Sequence, residues 1–353
     1  MKIFINSRFL TQPITGVQRF AIEISKQLKI LYGDRIEFIS PYNVMHHRLA
    51  KEFNVKTIGI LTNHLWEQID LPRYLKKQGS PILLNLANTA PFTYKNKLTA
   101  IHDIAFKIYP QTYTKSFLSY YNLLFSKILE TSEHIITVSH FSKEEIMRFY
   151  NIRKDKISVV YNAVNANFKQ IHNDDLQKRN YFLIVSSLNY RKNLIRILEA
   201  FENISAKDKK LKLYLIGDLN IKSFKKIDIS KYIYNKKIEI LGRVNDAELV
   251  EYYSNARGFI YPSLYEGFGI PPLEAQACNC PVLLSNGCCF PEVFGDSALY
   301  CDPFSINSIQ IGMQQLLDKE IRDILIKKGD VNTKRFSWEI SAKKISEILE
   351  KYM

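Results

Sequence analysis

The stretch Tyr261-Pro-Ser-Leu-Tyr-Glu-Gly-Phe-Gly-Ile-Pro-Pro-Leu-Glu-Ala275 holds two carboxylates, Glu266 and Glu274, with seven residues between them. The interval contains Gly267, Phe268, Gly269 and Ile270, followed by Pro271 and Pro272. Glycines let a ligand approach the backbone, and proline suits a first helical turn, where unpaired N–H groups attract anions. The expected order is a strand over 258–261, a glycine loop, and a helix opening at the prolines. Glu266 then sits on the loop and Glu274 in the first turn, facing one hollow. Two carboxylates make little sense for holding phosphate alone. They suit a ligand whose phosphates meet N–H groups while its hydroxyls meet the carboxylates.

A second constellation is Arg191-Lys192-Asn193, a basic pair just before a helix whose Leu194, Ile197, Leu198 and Ala200 share one face. Cations at a helix start form a strong diphosphate site. His102 ends an apolar run at 98–101, and the carboxyl end of a strand is where doubly wound sheets bind ligands. Gly16 lies in the loop after the first strand-like run, in the same kind of position.

These motifs resemble those of retaining glycosyltransferases of family 4, which have the GT-B fold. Glu266-x7-Glu274 in its S-L-Y-E-G-F-G-I-P-P-L-E-A setting resembles the donor-site motif, and R-K-N resembles the element whose lysine neutralises a leaving nucleoside diphosphate. The resemblance implies that Glu266 holds the donor sugar and Glu274 the ribose. It implies that Lys192 and Arg191 meet the diphosphate, that the glycine of T-G-V-Q-R, Gly16, approaches the donor phosphates, and that His102 of H-D-I contacts the sugar or acceptor. The segment Gly242-Arg-Val244 then contacts the base through its backbone. Ser186-Ser187 departs from a Gly-Arg pair found in many members, so Lys192 and Arg191 carry more of the charge. With V-S-H-F-S, the whole pattern is most similar to the mannosyltransferase-like branch building bacterial O-antigen or capsule. That branch implies a nucleotide-diphosphate sugar, GDP-mannose first and dTDP-rhamnose or a UDP-hexose next. It also implies no cofactor or metal, and a glycan acceptor that is lipid-pyrophosphate-linked in many pathways of this kind.

The elements positioning these residues follow from length and periodicity. A chain of 353 residues suits two domains of about 150–180 residues. Short apolar runs at 2–6, 36–40, 57–61, 81–86, 98–101, 135–139 and 157–162 read as buried strands, with Ser142-x-x-Glu145 as a capping box opening a helix. Aromatic residues 109, 113, 117 and 121 recur at four-residue steps, one helical face. A polar stretch over 165–178 reads as a linker. The pattern restarts at Tyr181–Val185 and continues through runs at 211–217, 238–244, 258–261 and 281–284. Alternating strands and helices predict an α/β fold of two doubly wound domains. The first covers 1–165 and the second, donor-binding domain covers 176–336. In GT-B proteins they face a central cleft, and the last helix, 337–353, crosses back to the first domain.

Net charge is +14, and residues 1–170 carry 23 basic against 12 acidic residues. Such a basic half suits an anionic partner, and with the aromatic-lysine run after Phe106 it suits peripheral contact with an anionic membrane. No nucleic-acid motif accompanies the charge. No run of about 18 apolar residues exists, and the start resembles no signal peptide, so a cytoplasmic protein at the inner face of the plasma membrane is expected. The five cysteines, all beyond residue 277, lack zinc spacing and read as buried thiols. A Rossmann oxidoreductase would need G-x-G-x-x-G after a strand, which is absent. A non-catalytic nucleotide-binding scaffold, or a phosphorylase or epimerase on the same fold, remains the alternative.

Overall fold

The computed structural model describes residues 2–171, 173, 176, 180–186, 189–206, 208–217 and 228–353. The chain divides into two compact units. The first comprises Met1–Ile104, Ser119–Asn162 and Ser337–Met353; the second comprises Ala105–Leu118 and Ala163–Phe336.

The first unit is built on a parallel sheet. Its strands are β1 (Ile3–Asn6), β2 (Ile36–Ser40), β3 (Lys56–Thr57), β4 (Ile82–Asn85), β5 (Lys97–Ala100), β6 (His134–Thr137) and β7 (Ile157–Val159), in spatial order 3-2-1-4-5-6-7. Strands such as β1 and β4 are buried at every position, as both faces of a parallel sheet are covered. The order reverses between β1 and β4, the topological switch point. The final helix, Trp338–Glu350, packs on helix Gly16–Tyr32 within this unit: the Trp338 ring meets the Phe20 ring edge-on at 6.0 Å, and the Tyr32 and Ser346 hydroxyls are 2.7 Å apart.

The second unit repeats the scheme. Strands β8 (Tyr181–Val185), β9 (Lys212–Ile216), β10 (Ile238–Gly242), β11 (Gly258–Tyr261), β12 (Val282–Ser285) and β13 (Leu299–Cys301) stand in order 10-9-8-11-12-13, reversing between β8 and β11. Phe182, Leu198, Leu213, Ile260, Leu283 and Met313 lie in its core. Gly217, with φ +145°, has no room for a side chain, because a Cβ there would fall 1.8 Å from the Ser186 carbonyl oxygen. The expected linker over 165–178 lies partly outside the described residues, as does Ser187.

Four local expectations change. Ser142 does not open a helix; Ser139 does, its hydroxyl accepting from the Ser142 N–H, because β6 ends so close that the helix starts at His140. The run at 57–61 contributes only Thr57 to the two-residue β3, because Gly59 turns at φ +74° and the Asp70 carboxylate takes the Ile60 and Leu61 N–H groups, each at 2.9 Å. The four-step aromatic stripe is not one helical face. Pro110 separates a turn of helix at Ala105–Ile108 from the helix Lys115–Thr131, and Tyr113 belongs to neither. Tyr109 follows the first piece and, within the second unit, its hydroxyl donates to the Leu264 carbonyl at 3.4 Å. Finally, the helix after the glycine loop runs Ile270–Ala277, so Glu274 falls in its second turn rather than its first; the left-handed Gly269 (φ +97°) starts the helix ahead of the prolines.

Among the described residues no helix is long and apolar enough to cross a membrane. None of the cysteines forms a disulfide; Cys278, Cys280, Cys289 and Cys301 are buried and Cys288 half-buried.

Candidate functional site

At the switch point of the second sheet, the loops after β8 and β11 bring together a carboxylate and two cations. Lys192 Nζ lies 2.6 Å and Arg191 Nη1 2.9 Å from the same oxygen, Glu266 Oε1. The Tyr261 hydroxyl donates to that oxygen at 3.2 Å, and Lys192 also donates to Tyr261 while lying over its ring at 4.7 Å. Arg191 further donates to the Tyr265 carbonyl. Burial alone would push the Glu266 carboxyl up, but the Arg191 and Lys192 charges and their hydrogen bonds outweigh it and hold the group at about 2. Glu266 is therefore ionised, and the three charges sum to one positive unit.

The cluster owes its geometry to Asn189, which no motif singled out, and to Asn193, the last residue of the R-K-N element. Asn189 caps the tight turn Tyr190–Lys192 by accepting from the Arg191 N–H at 3.0 Å. Asn193 adopts the left-handed region at φ +61° and donates to the carbonyls of Pro262 at 3.0 Å and Pro303 at 2.6 Å. The Leu264 N–H closes the link by donating to the Arg191 carbonyl at 2.8 Å. Two basic residues are thus fixed on a short turn before the helix Leu194–Ser205. An asparagine two residues before the basic pair, just after a strand, is the sequence signal that would have found Asn189.

Glu274 is 5% exposed and Glu266 9% exposed. Gly267, Phe268, Gly269 and Ile270 lie in the interval between them; a Cβ on Gly269 would stand 2.8 Å from the Phe290 ring, so this turn requires glycine. Val244 is half-buried in the loop between β10 and the helix Asp246–Asn255. Cys288, at φ +51°, neighbours Glu266. Burial pushes its thiol up, yet hydrogen bonds from Cys289 and from the Glu266 and Phe290 backbones bring the net shift down.

Gly16 and His102 belong to the first unit. Gly16 opens the helix Gly16–Tyr32, whose Thr15 N–H donates to Gln18 Oε1 at 3.2 Å. His102 follows β5 and is 5% exposed, its ring edge-on to Phe20 at 4.8 Å. Its Nε2 lies 3.1 Å from the Leu86 carbonyl oxygen. A carbonyl only accepts, so Nε2 carries the proton and Nδ1 is the acceptor. Burial, chiefly, lowers the His102 pKa, keeping the ring neutral.

The first unit has its own polar cluster at its switch point, which motif reading missed. Arg8 follows β1, Thr89 follows β4, and Glu67 comes from the helical stretch beginning at Asn63. Arg8 Nε lies 3.2 Å from Glu67 Oε1; the Asn6 amide at 2.7 Å and the Thr89 hydroxyl at 3.0 Å donate to the same oxygen. Burial would raise the Glu67 carboxyl, but Arg8 first and His64 and Asn6 after it hold it at about 2.

Comparison with known proteins agrees with this architecture. Residues 14–168 match the family model for Glycosyltransferase Family 4, and residues 166–331 the model for Glycosyl transferases group 1. The chain is 28% identical to O-antigen chain mannosyltransferase B of Escherichia coli over 96% of this chain and 97% of that protein. It is 31% identical to O-antigen chain mannosyltransferase RfbU of Salmonella typhimurium, over 69% of this chain and 67% of the relative. In fold it is similar to Anabaena HepE, solved in complex with UDP and glucose, with TM-score 0.74 and 15% identity over 99% of both chains. Two parallel-sheet Rossmann-like units of this kind define a glycosyltransferase of the GT-B fold. The chain belongs to glycosyltransferase family 4.

Proposed function

We propose that this enzyme is a retaining mannosyltransferase that moves mannose from GDP-mannose to a glycan acceptor of a bacterial surface polysaccharide. Identity with the E. coli O-antigen mannosyltransferase along almost the whole chain supports the choice of sugar and acceptor class. The geometry supporting the donor site is the Arg191–Lys192–Glu266 cluster, which carries the net positive charge a departing diphosphate needs. In this reading Lys192 and Arg191, rather than a metal ion, meet the leaving group, each well-placed donor being worth on the order of 3 kcal/mol in the transition state.

Glu266 accepts hydrogen bonds from the donor sugar's hydroxyls and Glu274 from the ribose, while Gly267, Phe268, Gly269 and Ile270 shape the donor pocket and the Val244 backbone meets the base. Gly16 and His102 are the first unit's substrate-contacting groups. The bond from the anomeric carbon to the diphosphate breaks as the acceptor oxygen attacks on the same face. The acceptor proton passes to the leaving phosphate oxygen, so GDP and a mannoside of retained configuration result. The basic residues of the first 170 bring the enzyme to anionic membrane that carries lipid-pyrophosphate-linked acceptor.

The test is transfer of radiolabel from GDP-mannose, dTDP-rhamnose and UDP-glucose into a lipid-linked glycan extract, with NMR of the new anomeric centre. Label moving from GDP-mannose with retention supports the assignment. Label moving only from another donor overturns the sugar, and inversion overturns the mechanism.

A further inference from the structure

Tyr261 ends β11 and is 3% exposed. Its ring stacks on Phe259, with centroids 5.4 Å apart, and meets Phe290 edge-on at 6.1 Å. Phenylalanine would make the same ring contacts, so packing alone gives no reason for the hydroxyl, and a buried hydroxyl costs stability unless it is bonded. This one is bonded on both sides within the Arg191–Lys192–Glu266 cluster. It accepts from Lys192 Nζ and donates to Glu266 Oε1 at 3.2 Å. Burial first, and the Glu266 charge second, hold the phenol well above its ordinary pKa, so it keeps the proton it donates.

Arg191, Lys192 and Tyr261 all meet Glu266 Oε1, and an incoming nucleotide sugar acts on them differently. Arg191 and Lys192 are cations on long, flexible stems, so a diphosphate draws both away from the carboxylate. Tyr261 is uncharged, and its two side-chain torsions are fixed between Phe259 and Phe290, so it cannot follow. Without it, the buried carboxylate would lose these bonds just as a second anion arrives to repel it. We infer that Tyr261 is a positioning residue for the transfer, its hydroxyl keeping Glu266 in place for the sugar while Arg191 and Lys192 turn to the diphosphate. The role rests on the proposed assignment of Glu266 to the sugar and of the two cations to the leaving group. Tyr261 touches no reacting atom; it acts through Glu266.

The test measures steady-state transfer and calorimetric binding in the full-length protein, with GDP-mannose, dTDP-rhamnose and UDP-glucose as donors and GDP, dTDP and UDP as the diphosphates alone. With the donor that the wild type uses, Tyr261→Phe should lower kcat/KM about 10- to 100-fold, the scale of one hydrogen bond to a charged group. Affinity for the matching diphosphate should stay within about twofold, since Tyr261 serves the carboxylate and not the phosphates. Added to Glu266→Ala, Tyr261→Phe should change kcat/KM by no more than about twofold, because nothing remains for the hydroxyl to hold. A purely structural hydroxyl would lower diphosphate and donor affinity alike and would act equally in the Glu266→Ala background. A crystal structure of the wild type with the diphosphate needs no variant: the Tyr261 hydroxyl should stay within hydrogen-bond distance of Glu266 while Lys192 contacts phosphate. Full activity in Tyr261→Phe, an equal loss of diphosphate and donor affinity, or a bound diphosphate with Glu266 swung away from Tyr261 overturns the inference and leaves the transferase reading standing. A wild type that binds none of the diphosphates and uses none of the donors removes that reading and this role with it.

Discussion

Lys192 Nζ is 2.6 Å from Glu266 Oε1, so the cation assigned to the leaving diphosphate and the carboxylate assigned to the sugar are ion-paired with each other. Donor binding must therefore reorganise this pair. Lys192→Ala should lower kcat about 10²- to 10³-fold in a steady-state transfer assay, the scale for removing one preorganised electrostatic donor. A loss below fivefold would assign the charge to Arg191 alone.

The two buried carboxylates make stability sensitive to acid. Glu266 and Glu67 are each held at about 2 against an ordinary 4.5. A depressed folded pKa gives stability that is full above about 4.5 and lost as pH falls from there toward 2, on the order of 3 kcal/mol for each group. Urea midpoints measured across that window should fall steeply in the wild type. They should fall less in Glu67→Gln, which enters the window already less stable.

Lys97 gives the opposite edge. It is fully buried in β5, its Nζ donating to the Tyr94 carbonyl and, at 2.7 Å, to the Thr131 hydroxyl. Burial first, and the Lys156 charge second, push its pKa down to about 7. The folded state then binds fewer protons than the unfolded state between about 7 and 10.5, so stability rises with pH there, by at most ~1.4 kcal/mol per pH unit. Lys97→Met should flatten that slope in denaturation at successive pH values.

Two glycines separate backbone from binding effects. Gly217→Ala would drive a Cβ to 1.8 Å from the Ser186 carbonyl, a backbone atom that cannot swing aside, whereas at Gly269 the obstacle is the Phe290 ring at 2.8 Å. Gly269→Ala should destabilise by roughly 1–3 kcal/mol, the cost of a side chain in such a backbone conformation, and Gly217→Ala by more. Thermal unfolding of both variants checks the order.

Much of this was legible in the sequence where the signal was local. Tyr181–Val185 and Gly258–Tyr261 are strands where apolar, β-branched runs predict them, because a parallel strand covered on both faces must be continuously apolar. Asn245 caps its helix as its spacing to Glu248 implies. Local spacing misled where two caps competed: Ser139 and Ser142 both suit an N-cap, and only the position of β6 decides between them. The Arg8–Glu67 pair was invisible because its partners are 59 residues apart and meet only through the sheet order. The one local hint was Asn6-Ser7-Arg8, polar residues directly after a buried strand.

The central claim is that Arg191, Lys192 and Glu266 form a nucleoside diphosphate site. A thermal-shift panel of GDP, UDP, dTDP and ADP against the wild type and Lys192→Ala tests it most directly. A diphosphate at 100 times its Kd should add about 2.7 kcal/mol of stability. The account predicts that GDP stabilises the wild type and that Lys192→Ala loses most of that gain. Equal stabilisation of both proteins, or of neither by any of the four, would contradict it.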